Sequence, residues 1–514
     1  MKFNRNALWL KPEILLMAVF SIVFHLVFIN NLEYHRDELL YFSLGMHPAA
    51  GYASVPPFIG WIACIMQNIF GYSLFAVRLF PAILSGALIL LTAALAGELG
   101  GSRYSAFLAA LGLNASIFFM RTFSLFQPVH IDVFMWTLSI WLVMKFINTG
   151  KDKFLLLLGV AAGISLLNKY LAAMLFIGFA VIIPFTEYRK VFINKKFWAG
   201  IGIGALIFLP NLFWQMKMSF PVFRHMNELY GTQLVYMDYG LFLKEQLLMP
   251  GAATILSVAG LIFLIFSRAS GRFRFLGFLA IFVIAGLMLL KGKSYYTLGV
   301  YPLLITAGAV SYELLFRKIW LRMLLPVTLV TIALPVVPIG IQIYGTQGLV
   351  EYFSMLEKKY GLDIGRRFED GTIHSLPQDY ADMLGWEEMA SLAAKAYGMI
   401  EDKSSAFIYC ENYGQAGAVT VIGKKYGLPQ AVCFNESFLY WLPMKFEPDI
   451  KSFVYINDEP GDDVRAVFRE ITEVGAVSNP DAREYGTKVF LCRDPVESFN
   501  GLWISKLREM DLYH

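Results

Sequence analysis

The chain has 514 residues, of which 57% are hydrophobic, 16% aromatic and only 16% charged. Soluble globular proteins carry about 45–50% apolar and about 25% charged residues, so this composition excludes a disordered chain, a nucleic-acid binder and an ordinary cytosolic enzyme. The net charge of +4 hides an asymmetry: residues 1–344 hold 26 Lys and Arg against 12 Asp and Glu, whereas residues 345–514 hold 17 against 27. The expected organisation is a basic, apolar membrane domain over 1–344 and an acidic, water-soluble domain over 345–514.

A membrane span needs roughly 20 apolar residues. On that ruler eleven helices are expected, near 13–32, 72–97, 105–121, 131–148, 154–168, 171–186, 199–216, 247–267, 275–290, 298–315 and 323–344. The first apolar run has no small-residue cleavage site after it and reads as a retained helix. Alternate loops are basic: Lys2, Arg5 and Lys11; Arg103; Lys145, Lys151 and Lys153; Arg189, Lys190, Lys195 and Lys196; Arg268, Arg272 and Arg274; Arg317, Lys318 and Arg322. These loops belong in the cytoplasm, so an odd number of spans in an inner membrane puts the tail outside, in the periplasm. In the long first outer loop, Pro56 and Pro57 precede an amphipathic stretch, Phe58–Phe70, suited to the membrane interface.

The tail alternates patterns. Helices are expected over 383–400, 414–426 and 463–471, and strands over 406–410, 431–434, 453–456 and 488–492, which together describe a small α/β domain with a largely parallel sheet. It has no GxGxxG after its first strand, so nothing supports nucleotide binding there. Cys64, Cys410, Cys433 and Cys492 have no zinc-type spacing. The last three sit in apolar runs and read as buried free thiols.

Ionisable residues near a membrane are costly unless they act or find a partner. Asp37 and Glu38, in His35-Arg36-Asp37-Glu38, form a polar cluster that is either a solvated loop or, pinned at the membrane surface by the apolar run that follows, a place where a carboxylate can act as a general base toward a hydroxyl. Asp132 opens the fourth span. It either complements the helix dipole or serves as a second acid of the site. Lys291 and Lys293, beside Tyr295 and Tyr296, stand at an outer span end where a positive-inside pattern does not put them. Ammonium groups next to phenols suit a phosphate, and Gly292 permits close backbone approach; the competing reading is headgroup anchoring. Lys169, Arg121, Arg78 and Arg224 are weaker candidates for the same surface. His25 reads as a packed, hydrogen-bonded histidine.

The acids and cations thus gather on the outer side, where a lipid-linked phosphate substrate meets them and a cytoplasmic nucleotide sugar does not. Two other classes remain: a transporter or flippase of lipid-linked sugars, and a sensor or scaffold that uses the tail as its ligand domain. A transporter would bring polar groups to the bilayer midplane at broken helices.

Asp37-Glu38, Pro56-Pro57-Phe58 and Asp132, in that order, resemble bacterial GT-C membrane glycosyltransferases related to protein O-mannosyltransferases and to the aminoarabinose transferase of lipid A. Asn168-Lys169-Tyr170-Leu171, the run Phe208–Trp214, Gly292–Tyr296 and Tyr301-Pro302 are similar to the same family. So are the tail segments Asp382–Glu387 and Asn412–Ala418. The resemblance implies a GT-C fold and inverting transfer from a polyprenyl-phosphate sugar to an envelope lipid, glycan or protein acceptor. It implies Asp37 as base, Glu38 beside it, Asp132 in support, and Lys293 with the tyrosines on the donor phosphate. Where some relatives carry a charged His-Glu-Lys-type stretch before the prolines, this chain reads Tyr52-Ala53-Ser54-Val55. An acid and a cation are therefore missing there, and the resemblance leaves the cofactor unknown, a divalent cation included.

Overall fold

The computed structural model describes residues 7–368 and 371–509. Lys2 and Arg5, counted above among the cytoplasmic residues, lie outside the described residues. The chain divides into two compact units: Met1–Ile29, Ala49–Ile59 and Arg78–Ile343 form one, and Asn30–Pro48, Gly60–Val77 and Tyr344–His514 the other. The first outer loop therefore contributes to both.

The first unit is helical, and each of the eleven apolar runs contains helix. Among the described residues six single helices are long and apolar enough to cross a membrane: Leu74–Glu98, Pro128–Thr149, Lys195–Lys217, Gly271–Leu289, Ser294–Leu315 and Ile319–Gly340. Three more candidates are bent pairs, Arg103–Asn114 with Ile117–Ser124 (68°), Tyr170–Phe185 with Glu187–Ile193 (113°), and Tyr239–Leu248 with Gly251–Phe266 (93°). Pro12–Val27, Phe58–Phe70 and Lys153–Asn168 are shorter apolar helices. The chain is a multi-pass membrane protein. The third bend has a local cause: Pro250 is followed by Gly251 in the left-handed region at φ 58°, which a residue with Cβ adopts only at a cost.

Lipid offers no hydrophobic drive between helices, so close packing takes its place. Helices Lys153–Asn168 and Lys195–Lys217 meet through Gly159 and Gly163 against Gly200 and Gly204. A Cβ at 159 would collide with the Gly200 carbonyl, and one at 163 would lie 2.8 Å from the Gly204 carbonyl oxygen.

The tail unit holds a four-stranded sheet in the order β1-β2-β4-β3: β1 Ala406–Cys410, β2 Ser452–Asn457, β3 Phe468–Ala476 and β4 Lys488–Pro495. Only β1 and β2 are parallel; β4 runs antiparallel to both β2 and β3. The largely parallel sheet expected from the alternating pattern is thus corrected to a mixed one. Residues 477–487 between β3 and β4 contain no crossover helix, which a parallel pair would need. The helix expected over 463–471 stops at Val467 and continues as β3. Val464, Val467, Phe468 and Ile471 have helical spacing, but pairing with β4 overrides it. The run at 431–434 contributes a single parallel bridge, Tyr409 to Val432. Phe407, Phe453, Phe468, Phe499 and Trp503 fill the core against the sheet. Cys410, Cys433 and Cys492 are buried and free.

Candidate active site

The chemistry-bearing residues of the membrane unit are set by the break after Asn168. Its Nδ2 donates to the Pro128 carbonyl at 2.9 Å, tying that break to the first turn of Pro128–Thr149, where proline is well tolerated. Asp132 lies just beyond that turn, 4% exposed. Its carboxylate and the Lys169 ammonium attract each other, while Oδ1 takes no hydrogen bond among the described residues. Lys169 Nζ also lies 4.3 Å from the ring centre of Tyr296 and 5.4 Å from that of Tyr295. The two tyrosines meet edge to face at 4.8 Å. Tyr170 donates to Asn211 Oδ1 and accepts from Gln215 Nε2, both at 2.8 Å, and Asn211 Nδ2 donates to the Ala50 carbonyl at 2.8 Å.

Lys293 repels Lys169 and lines a cavity of about 340 Å³ with Glu245, Ser294, Tyr295, Gln233 and Tyr236. The turn that carries it is braced from Tyr239–Leu248. The Ser294 hydroxyl donates to Glu245, and Gln246 Oε1 accepts from Thr297 at 2.6 Å and from Tyr301 at 2.9 Å. Gly292 matters sterically, since a side chain there would crowd Tyr296 Cδ2 at 3.3 Å. Lys291 is placed differently: it adopts φ 55° and its Nζ donates to the Val235 carbonyl at 3.1 Å, outside the cavity lining. Arg121 and Arg224 are also outside that lining. Arg78 is 1% exposed and donates to the Ile29 carbonyl at 2.6 Å, a structural role. His25 is buried and donates to the Ser21 carbonyl at 2.7 Å.

The first acidic pair belongs to the tail unit, where it opens the helix Arg36–Leu44. His35 caps it: Nδ1 accepts from the Asp37 N–H at 3.1 Å, and the His35 N–H donates to Glu38 Oε2 at 2.9 Å. Such a box satisfies two backbone donors at the helix start. Glu38 is fully buried in this role, whereas Asp37 is partly exposed. Tyr413 donates its hydroxyl to Asp37 Oδ1 at 2.9 Å, and the Arg36 guanidinium lies 4.4 Å over the Tyr413 ring. Burial pushes the Tyr413 phenol well above its ordinary value, and the Asp37 charge adds to that.

Two further strands of bonding hold the segment. The Arg36 N–H donates to the Asp382 carbonyl and the Glu33 N–H to the Met383 carbonyl, both at 3.0 Å. The Glu33 carboxylate accepts from the Gly385 and Glu387 N–H groups at 3.2 and 2.8 Å. Burial raises the Asp382 carboxyl above its ordinary range, against the pull of His35, Arg483 and Arg36.

The membrane unit therefore brings Asp132, Lys169, Tyr295, Tyr296 and Lys293 into one neighbourhood, and the tail unit brings Asp37, Glu38 and Tyr413 into another. Sequence reasoning missed Asn168, Glu245 and Gln246 as organisers of the first group. A carboxylate and an amide at the entry of an apolar run were the available signal. Tyr413 and Asp382 lay in segments noted for their resemblance, without a role. Among the described residues no group of three or more His, Cys, Asp or Glu stands together as a metal site.

The fold matches that of solved ArnT structures. The structure of ArnT from Cupriavidus metallidurans bound to undecaprenyl phosphate matches with a TM-score of 0.59 at 13% identity, covering 93% of this chain and 97% of that one. An Archaeoglobus fulgidus oligosaccharyltransferase, in complex with Zn and sulfate, matches with a TM-score of 0.50 at 14% identity, over 86% of this chain and 68% of that one. Residues 54–214 match the family described as dolichyl-phosphate-mannose-protein mannosyltransferase. The chain is 29% identical over 203 residues to the lipopolysaccharide core galacturonosyltransferase RgtA of Rhizobium johnstonii, spanning 38% of this chain and 39% of the relative. It is 30% identical over 193 residues to undecaprenyl phosphate-alpha-4-amino-4-deoxy-L-arabinose arabinosyl transferase 2 of Proteus mirabilis, spanning 34% and 31%. Both sequence matches thus span well under half of the relatives' lengths.

Proposed function

We propose that this protein is a glycosyltransferase that moves a sugar, with inversion, from a polyprenyl-phosphate donor to an extracytoplasmic acceptor. The observation that carries the reading is the cationic neighbourhood of Lys169 and Lys293, with two tyrosines and a 340 Å³ cavity, in a chain with the fold of ArnT. The likeness to ArnT, whose structure binds undecaprenyl phosphate, and to the Proteus undecaprenyl-phosphate-aminoarabinose transferase supports a polyprenyl-phosphate donor.

In this reading the acceptor hydroxyl attacks the anomeric carbon while Asp37 takes its proton. The bond between that carbon and the phosphate oxygen breaks, and polyprenyl phosphate leaves with both electrons. Lys293 and Lys169 neutralise the charge that develops on it, and Tyr295 and Tyr296 supply hydroxyl donors. Asp132 holds Lys169 in place, and Glu38 holds the helix turn that presents Asp37. The prenyl tail stays in the bilayer. If Pro12–Val27 and Lys153–Asn168 cross beside the six single and three bent candidates, the chain has eleven spans. With the basic loops inside, that assigns residues 1–344 to an inner-membrane transferase domain and residues 345–514 to a periplasmic one.

The three bent helix pairs favour a second reading, a flippase of lipid-linked sugars, because transporters build their sites at broken helices. Purified protein in detergent separates the two, since micelles have no compartments to transport between. Mass spectrometry of envelope glycolipids and glycoproteins from cells with and without the protein names sugar and acceptor. The micellar protein should then transfer that sugar to that acceptor. Absence of transfer with authentic donor and acceptor would contradict the enzyme reading.

A further inference from the structure

The helix Tyr413–Val421 of the tail unit begins at Asn412, whose side chain accepts from the Gly414 and Gln415 N–H groups at 2.9 and 3.1 Å. It packs on Arg36–Leu44 through two glycines. A Cβ at 414 would lie 2.8 Å from Arg36 Cγ, and one at 417 would lie 2.7 Å from Leu39 Cβ. Helices come this close only where side chains are missing. The approach carries the Tyr413 phenol to Asp37, 2.9 Å from Oδ1, with Arg36 stacked 4.4 Å over the ring. The Tyr413 N–H donates to Asn435 Oδ1 at 3.2 Å, fixing the backbone below it.

We propose that Tyr413 is a positioning residue for Asp37, so that the tail domain sets the geometry of proton removal from the acceptor. This rests on the reading of Asp37 as base. A base works only within hydrogen-bond reach of the proton it takes, and a misplacement of about 1 Å costs on the order of a hundredfold. The carboxylate of Asp37 turns about two side-chain bonds, and the phenol selects one setting of them. The Arg36 guanidinium over the ring, on a backbone fixed by its N–H on the Asp382 carbonyl, limits the swing of the ring.

Tyr413→Phe removes the hydroxyl while keeping the ring, its stacking on Arg36 and both glycine contacts. In the purified full-length protein, assayed with the undecaprenyl-phosphate-linked sugar that envelope analysis names, kcat should fall roughly ten- to a hundredfold. The donor KM should stay within about twofold and the melting temperature should not change. In an Asp37→Asn background the same substitution should cost nothing more. Wild-type kcat in Tyr413→Phe, alongside an impaired Asp37→Asn, would overturn this inference and leave the base reading standing. A lowered melting temperature with kcat and KM both changed, or additive losses in the double variant, would reduce Tyr413 to a structural role and overturn it too. Normal transfer by Asp37→Asn would instead remove the base reading.

Discussion

Lys169→Met keeps the length and apolar stem of the side chain but deletes the charge that faces Asp132. That carboxylate is 4% exposed, and one of its oxygens already takes no hydrogen bond among the described residues. Removing one member of a fully buried ion pair costs about 3–5 kcal/mol; Lys169 is only partly buried and a lone buried carboxyl can take up a proton, so a smaller loss, at most about 3 kcal/mol, is expected. Asp132→Asn should cost less, since a partly exposed ammonium keeps some hydration. The double variant Lys169→Met/Asp132→Asn should recover most of the stability, because no buried charge is then left alone. It should not recover transfer, because in the proposed reading the ammonium serves the donor phosphate. Thermal unfolding of the purified proteins in one detergent and lipid mixture, read beside donor turnover, measures both. Additive destabilisation in the double variant, or unchanged stability in Lys169→Met, would refute the pairing.

Lys293→Ala should lower donor use about ten- to a hundredfold, the worth of a charge-assisted contact of about 1.5–3 kcal/mol. Lys291→Ala should lower it less, since that ammonium rests on the Val235 carbonyl; equal losses would show that both lysines reach the donor. Gly159→Leu should force apart the helices that meet at Gly200 and reduce yield and melting temperature, whereas Gly202→Leu, with nothing within 4 Å of its added Cβ, should not. Burial raises the Glu33 carboxyl above 4.5, so the folded protein keeps a proton that the unfolded chain has lost. Its stabilising contribution is present below about pH 4.5 and is lost as pH rises through the folded value. Melting of the wild type should therefore fall relative to Glu33→Gln across that window, and a difference of the opposite sign would contradict the burial effect.

The helices were readable because a bilayer imposes one length on every span, and apolar runs report it directly. The breaks were harder. Ala115-Ser116 and Pro250-Gly251 interrupt runs that hydropathy alone treats as continuous. In the tail, β3 misled because its apolar residues fall at helical spacing up to Ile471, while its solvent face is charged as an edge strand requires. Its partner β4, which decides its conformation, lies further along the chain. Asp37, Asp132, Lys169 and Lys293 stood out because charge near a membrane is rare. Glu38 stood out for the same reason, yet its capping bond to His35 depends on helix geometry that only coordinates display. Tyr413 was unreadable as a contact of Asp37, since 376 residues separate the two and one more tyrosine among 26 carries no signal.

The central claim is that Asp37 takes the proton from the acceptor. Asp37→Asn keeps the size of the side chain and an oxygen for the Tyr413 hydroxyl, but it is not a base. The deciding measurement is the transfer rate of the purified Asp37→Asn protein, taken beside its affinity for donor. The account predicts a fall of about 10²–10⁴ in transfer with donor binding essentially unchanged. Transfer at the wild-type rate would contradict it.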